Sequence, residues 1–208
     1  MPAEPIRVLA LNCTLKRGNE ASSTEKLLND LLSELTKFGT RNEIVRVANL
    51  NILSGIKSDE GEGDEWPGLL EKIQQADIVV IGSPIWLGQL SSIAKRVLER
   101  MNAFLGEKDE RQRTPAYNKI GIVAVVGNED GAHHVAAEIC AGMTEVGFTV
   151  PAGAATYWVG EALGSIDYKD LEQTPKRIAE WTKMLAANAH HLASAIRAQP
   201  YPGIDSGG

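Results

Sequence analysis

The sequence predicts an α/β fold: a three-layer sandwich in which a five-stranded parallel sheet of order 2-1-3-4-5 carries helices on both faces. Three observations predict it. Short apolar runs alternate with amphipathic stretches five times along the 208 residues. The runs at 78–81 and 119–126 are apolar almost throughout, as parallel strands buried on both faces are. No internal repeat or long linker divides the chain, and right-handed crossovers leave few orders for five such strands. The expectation is one domain over residues 1–208, with a core at 6–196 and a mobile tail at 197–208 rich in Pro and Gly.

Residues 6–11 form the first strand. The next helix sets Leu27, Leu28, Leu31, Leu32, Leu35 and Phe38 on one stripe and stops at Gly39. Residues 43–48, with Ile44, Val45 and Val47, form the second strand. Residues 49–65 are expected as a solvated loop; Gly61 and Gly63 interrupt its acids, Asp59, Glu60, Glu62, Asp64 and Glu65, and no metal-ligand spacing is met. Asp64 and Glu65 stand before Trp66-Pro67, where acids and Pro favour a helix start, and that helix runs to about Gln75.

The third strand opens at Asp77 and stops at residues 82–84. A helix from about Ser91 sets Ile93, Ala94, Val97, Leu98, Met101, Phe104 and Leu105 on one face. A charged connector at 107–115 leads to the fourth strand at 119–126. The helix after it uses Val135, Ala136, Ile139, Cys140 and Met143, and ends before Gly147. The fifth strand lies within 148–159, interrupted near Pro151 and Gly153. After a loop at 160–173, a last helix over 174–196 turns Ile178, Trp181, Leu185, Leu192 and Ile196 inward.

Net charge is −6 and the pI about 5.3, which argues against nucleic acid or an anionic membrane as the partner. Cys13 and Cys140 are isolated and lack metal-type spacing, which suits a reducing compartment. Residues 1–5 carry no basic region or apolar signal core, and no run reaches membrane-spanning length. The expectation is a soluble cytoplasmic protein.

In the predicted order the switch point falls between strands one and three, so ligands bind between the loops after Asn12 and Gly82. The first loop carries Thr14, Lys16, Ser22, Ser23 and Thr24, the last three opening a helix. Unpaired N–H groups and the positive dipole end make such a start an anion site, to which hydroxyls and Lys16 add. Ser22 with Glu25 also reads as a capping box, and Glu25 is unfavourable beside a phosphate. No P-loop and no dinucleotide glycine fingerprint is present, so the site suits a mononucleotide. The second loop, Ser83, Pro84, Ile85, Trp86, Leu87 and Gly88, offers a flat apolar surface with free backbone groups, as a planar heteroaromatic ring requires. The competing reading makes Trp86 a plug for the sheet end. The third loop is Gly127, Asn128, Glu129, Asp130 and Gly131, where Glu129 or Asp130 can cap the next helix instead. The His133-His134 pair points in two directions on a helix and has no third ligand, so no metal is expected. Cys13 reads as a packing residue, and Tyr157-Trp158 as either core or ligand contact.

The run Gly82-Ser83-Pro84-Ile85-Trp86-Leu87-Gly88-Gln89-Leu90-Ser91-Ser92 resembles the flavin-ring loop of the NADPH-dependent FMN reductase and multimeric-flavodoxin family. Cys13-Thr14-Leu15-Lys16 with Ser22-Ser23-Thr24 is similar to that family's phosphate loop, here longer than the compact turn of electron-carrier flavodoxins. Gly127-Asn128-Glu129-Asp130-Gly131 resembles its third flavin loop. The resemblance covers about residues 6–196 and implies a flavodoxin-like fold, bound FMN and NAD(P)H as co-substrate. It implies phosphate contacts from Thr14, Lys16, Ser22, Ser23 and Thr24, ring contacts from residues 83–88, and a far wall from residues 127–131, with no catalytic side chain. A small-molecule electron acceptor such as a quinone and a homodimer or homotetramer go with it. An electron carrier that docks on protein partners, and a flavin-free regulatory protein, are the alternatives.

Overall fold

β1 (Arg7–Asn12) and β3 (Ile78–Trp86) run parallel, with Leu11 opposite Ile81 and Asn12 opposite Gly82. Their carboxyl ends therefore meet where the sequence places the ligand crevice. β2 (Arg41–Arg46) flanks β1, while β5 (Ile120–Gly127) and β6 (Ala155–Val159) continue the sheet beyond β3. The order β2-β1-β3-β5-β6 is parallel throughout and reproduces the expected 2-1-3-4-5 arrangement. A short β4 (Gln89–Leu90) pairs antiparallel with the end of β3. These coordinates are a computed structural model describing residues 4–204 apart from Leu163. Residues 1–3, part of the stretch in which no signal segment is expected, and the tail end at 205–208 lie outside the described residues.

Alternation along the strands builds two cores. Leu9, Leu11, Val79, Ile81, Val123 and Val125 face α2 (Trp66–Gln75), α3 (Ser92–Met101) and α4 (Ala132–Glu145). Val8, Ala10, Ile78, Val80, Ile122 and Ala124 face α1 (Ser23–Thr36) and α5 (Lys176–Ala198). Each fully buried aliphatic contributes about 1.5–3 kcal/mol, so the sheet is stabilised from both sides. A Cβ at Gly82 would stand 2.7 Å from Leu28 Cδ1, so only Gly lets α1 pack this closely on the end of β3. That contact brings the start of α1 to the crevice.

Several boundaries differ from expectation. β3 does not stop at 82–84: Pro84 still pairs with Val126 across the sheet, and the strand reaches Trp86. The second strand runs over Arg41–Arg46, and Val47–Asn49 is a 3-10 turn. The fifth strand is confined to Ala155–Val159, with a single bridge from Thr149 to Ile120 upstream. Phe38, Leu105 and Trp181, expected inward, are each 43% exposed. Phe38 stacks on His190 at 4.9 Å, and Trp181 Nε1 donates to the Ala155 carbonyl at 2.8 Å, covering the edge of β6. The tail is tied down as far as Ile204: the Tyr201 amide donates to Asn118 Oδ1 at 2.7 Å, and the Ile204 amide to the Arg111 carbonyl.

Residues 49–65 form a largely exposed loop, as expected, but one of its acids, Asp64, is withdrawn from solvent. Arg100 on α3 and Asp64 form a fully buried ion pair at 2.7 Å. The guanidinium also donates to the carbonyls of Leu53 and Lys57 and lies over the Trp66 ring, 5.4 Å from its centroid. Asp64 accepts from the amides of Leu53, Glu60 and Trp66. Burial alone would raise its carboxyl, but the Arg100 hydrogen bond and these three amides hold it well below the usual carboxylate range.

Candidate functional site

A cavity of about 510 Å³ opens at the carboxyl ends of the strands. Of the predicted residues, Thr14, Lys16, Ser22, Ser23, Thr24, Pro84, Ile85, Trp86, Leu87, Gly127, Asn128 and Glu129 all line it. Ser83, Gly88, Asp130 and Gly131 do not, and three of these four shape the loops that do.

One wall is the start of α1. Ser22 Oγ accepts from the Glu25 amide at 3.3 Å, so the residue caps the helix and still borders the cavity. The capping box is only half formed, because Glu25 pairs instead with Arg46 at the end of β2. Arg46 thereby offsets the carboxylate that would oppose a nearby phosphate. Lys16 Nζ bonds the Ala21 carbonyl at 2.9 Å and lies 3.4 Å from Glu20, which closes the loop on itself just ahead of α1. Cys13 is fully buried, and burial pushes its thiol far above its ordinary value, as befits a packing residue.

The opposite wall is the β3–β4 hairpin. Its two-residue turn has φ +52° at Leu87 and +74° at Gly88, the pattern of a primed hairpin turn. Leu87 is 91% exposed and Trp86 53% exposed, so Trp86 is no plug for the sheet end. Ser83 organises the hairpin from beneath: its Oγ donates to the Pro84 carbonyl at 2.9 Å and accepts from the Ser91 amide at 3.0 Å. Ser91 Oγ donates to the Cys13 carbonyl at 2.7 Å, joining this hairpin to the first loop.

The third loop interlocks with the turn. A Cβ at Gly131 would stand 2.7 Å from the Gly88 carbonyl oxygen, so Gly is required at this crossing. Glu129 Oε1 accepts the Leu87 amide at 3.0 Å, and α4 is capped by Gly131 without a side-chain bond. Glu129 and Asp130 are therefore not its caps. His133 bonds Tyr157 at 3.0 Å and His134 bonds Gln89 at 2.9 Å. Among the described residues no three His, Cys, Asp or Glu side chains converge as a metal site.

Sequence reading missed the wall built by residues 160–173. Gly164 and Asp167 line the cavity, as does Trp158. The segment is pinned by Tyr168, which is fully buried and donates to Asp30 at 2.6 Å, and by Lys26, which donates to the Tyr168 and Leu171 carbonyls. Burial, reinforced by Asp30, pushes the Tyr168 hydroxyl well above its ordinary value. The missed signal was one aromatic in a polar stretch, without periodicity. A larger apolar groove of about 790 Å³ lies at the edge of β6, between α4 and α5, away from the first loop.

The cavity thus joins a hydroxyl-rich helix start to an apolar slot of Ile85, Trp86, Leu87, Val126 and Trp158, within the volume range of small-molecule sites. The family model for NADPH-dependent FMN reductase matches residues 6–163. The chain belongs to the NADPH-dependent FMN reductase family. FMN is the cofactor of this family, and the donor set fits it: backbone and hydroxyl donors for a phosphate, apolar walls for a ring. The 8-demethyl-8-aminoriboflavin-5'-phosphate synthase of Streptomyces davaonensis is 36% identical over 94% of this chain and 80% of that protein. A crystal structure of RosB with bound 8-demethyl-8-formylriboflavin-5'-phosphate superposes with a TM-score of 0.85, at 34% identity over 94% of this chain and 82% of the other. An archaeal flavodoxin shares the fold at a TM-score of 0.56 and 9% identity, covering 90% and 99% of the two chains. The NADPH-dependent FMN reductase fold of this chain is therefore flavodoxin-like, and no described helix is long and apolar enough to cross a membrane.

Proposed function

We propose that the protein is an FMN-binding oxidoreductase that passes electrons from NAD(P)H to a quinone, a flavin or a similar small acceptor. The observation that carries this reading is the single cavity shared by the α1 start, the β3–β4 hairpin and the loop after β5. Bound FMN supplies the redox chemistry, so that NAD(P)H, a proton and the acceptor give NAD(P)⁺ and the two-electron-reduced acceptor. Thr14, Lys16, Ser22, Ser23 and Thr24 hold the phosphate, the amides at the start of α1 adding their dipole end. Ile85, Trp86 and Leu87 form the ring wall, and Gly127 and Asn128 border the other side. No side chain acts as acid or base. The reading includes a homodimer or homotetramer, whose neighbouring subunit covers the exposed Trp86 and Leu87, and a cytoplasmic setting.

Anaerobic titration of FMN-loaded protein with NADH and NADPH tests it. Bleaching of the oxidised flavin band by either nucleotide is expected, and a band that persists with both overturns the reductase reading. The 36% identity to a synthase named for a modified flavin phosphate favours a second reading, in which FMN is the substrate. Mass spectrometry of the flavin recovered after turnover separates the two: unaltered FMN supports the reductase, and a new flavin mass supports modification.

A further inference from the structure

The family match ends at residue 163, yet the cavity does not: Gly164 and Asp167 lie beyond that match and still line it. We propose that Asp167 recognises the polyol chain of the flavin by accepting hydrogen bonds from its hydroxyl groups. The inference rests on the flavin reading above.

Asp167 Oδ1 accepts from Asn128 Nδ2 at 3.1 Å, on the loop that borders the ring side of the cavity. Two residues on, the Lys169 amide donates to Ser23 Oγ at 3.2 Å, on the phosphate side. Asp167 therefore stands between the two ends of the site. In a flavin mononucleotide, the ribityl chain spans that interval between ring and phosphate.

A carboxylate only accepts hydrogen bonds, so its partner must be a donor. Phosphate oxygens and ring carbonyls are acceptors, and the ring's N3–H donor lies on its pyrimidine edge away from the chain, which leaves hydroxyl groups as the matching donors along this stretch. Asn128 Nδ2 and Lys169 Nζ, the latter 3.1 Å from Oδ2, use part of the carboxylate's accepting capacity. The remaining lone pairs have room, because the Asp167 side chain is 46% exposed. Asn128 is itself held by the Gly164 carbonyl at 3.3 Å, so the acceptor is pre-positioned. Lys169 Nζ, which also bonds Asp170 at 2.7 Å, offsets part of the Asp167 charge facing a phosphate bound at α1.

The test compares two ligands on the wild type, Asp167→Ala and Asp167→Asn. One is FMN. The other is its analogue with a phosphorylated pentyl chain, which keeps ring and phosphate but lacks the three ribityl hydroxyls. Fluorescence titration of the wild type should favour FMN by about tenfold, the range of a hydrogen bond to a charged group. Asp167→Ala should reduce that preference severalfold by weakening FMN more than the analogue, and Asp167→Asn should retain more of it than Asp167→Ala. An equal loss for both ligands, or an undiminished preference for FMN, overturns the assignment. A wild type that binds neither ligand overturns the flavin reading itself, an outcome distinct from failure at Asp167. Circular dichroism confirms folding of the variants, which the buried Tyr168–Asp30 contact next to the site maintains.

Discussion

The Leu87 amide donates to the Glu129 carboxylate at 3.0 Å, tying the tip of the β3–β4 hairpin to the loop after β5 across the mouth of the cavity. Leu87 holds a positive φ that a branched aliphatic rarely adopts, and its side chain is almost wholly in solvent. At the tip of the turn the carboxylate, rather than apolar burial of Leu87, therefore adds to the Ser83 and Gly131 contacts that hold the hairpin. Glu129→Ala should weaken FMN binding about threefold to tenfold, the value of one modest hydrogen bond. Glu129→Gln, which keeps an acceptor oxygen, should bind nearly as the wild type does. Fluorescence titration decides this, and equal losses in both variants would show that the tether has no part in holding the ring wall.

Lys16 and the hydroxyls at the start of α1 line the cavity and also make the contacts of their own loop, so the proposed phosphate role has to be separated from a structural one. Lys16→Ala, and separately Ser22→Ala with Thr24→Ala, should weaken FMN roughly tenfold or more, since charge-assisted hydrogen bonds are worth roughly 1.5–3 kcal/mol. Riboflavin, which has no phosphate, should be affected far less. The comparison matters because Ser22→Ala also removes a helix cap, at about 1 kcal/mol of stability. Equal loss for both ligands would remove the phosphate assignment.

Both loops were legible in the sequence because the chemistry is local: hydroxyls open a helix, and an apolar stretch follows a buried strand. The sheet order was legible because continuous apolar runs mark strands covered on both faces. Other features depended on partners distant in sequence. Glu129 reads as a helix cap until Leu87 stands opposite it. Asp64 reads as a solvated acid until α3 brings Arg100 to it from 36 positions away. Asp167 has no neighbouring motif and gains its place through Asn128 and Ser23. Trp181 was misread because its indole covers the edge of β6, where an amphipathic pattern counts it as core.

Trp86 is half in solvent, so its removal should leave the fold within about 0.5 kcal/mol of wild type. The ligand should notice more. Trp86→Ala should shift the absorbance of bound flavin and quench less of its fluorescence, because one apolar face of the slot is lost. An unchanged spectrum and affinity would take Trp86 out of the ring wall, with Leu87 and Ile85 left to form it.

Arg100 and Asp64 are the strongest stability test. Both side chains are fully buried, and removing one partner leaves a charge without compensation, at a cost of about 3–5 kcal/mol. For a chain of this length, Arg100→Ala should lower Tm by about 10 °C. The pair also sets an acid limit. The folded carboxyl of Asp64 releases its proton more readily than the unfolded one, so its contribution is complete above the unfolded value of 3.8 and declines as pH falls below it. Asp64→Asn should be less stable at neutral pH and lose less stability than wild type between about pH 5 and pH 2, the span over which an ordinary aspartate titrates. Denaturant unfolding across that range measures the slope, and identical slopes in the two proteins would place the acid sensitivity elsewhere.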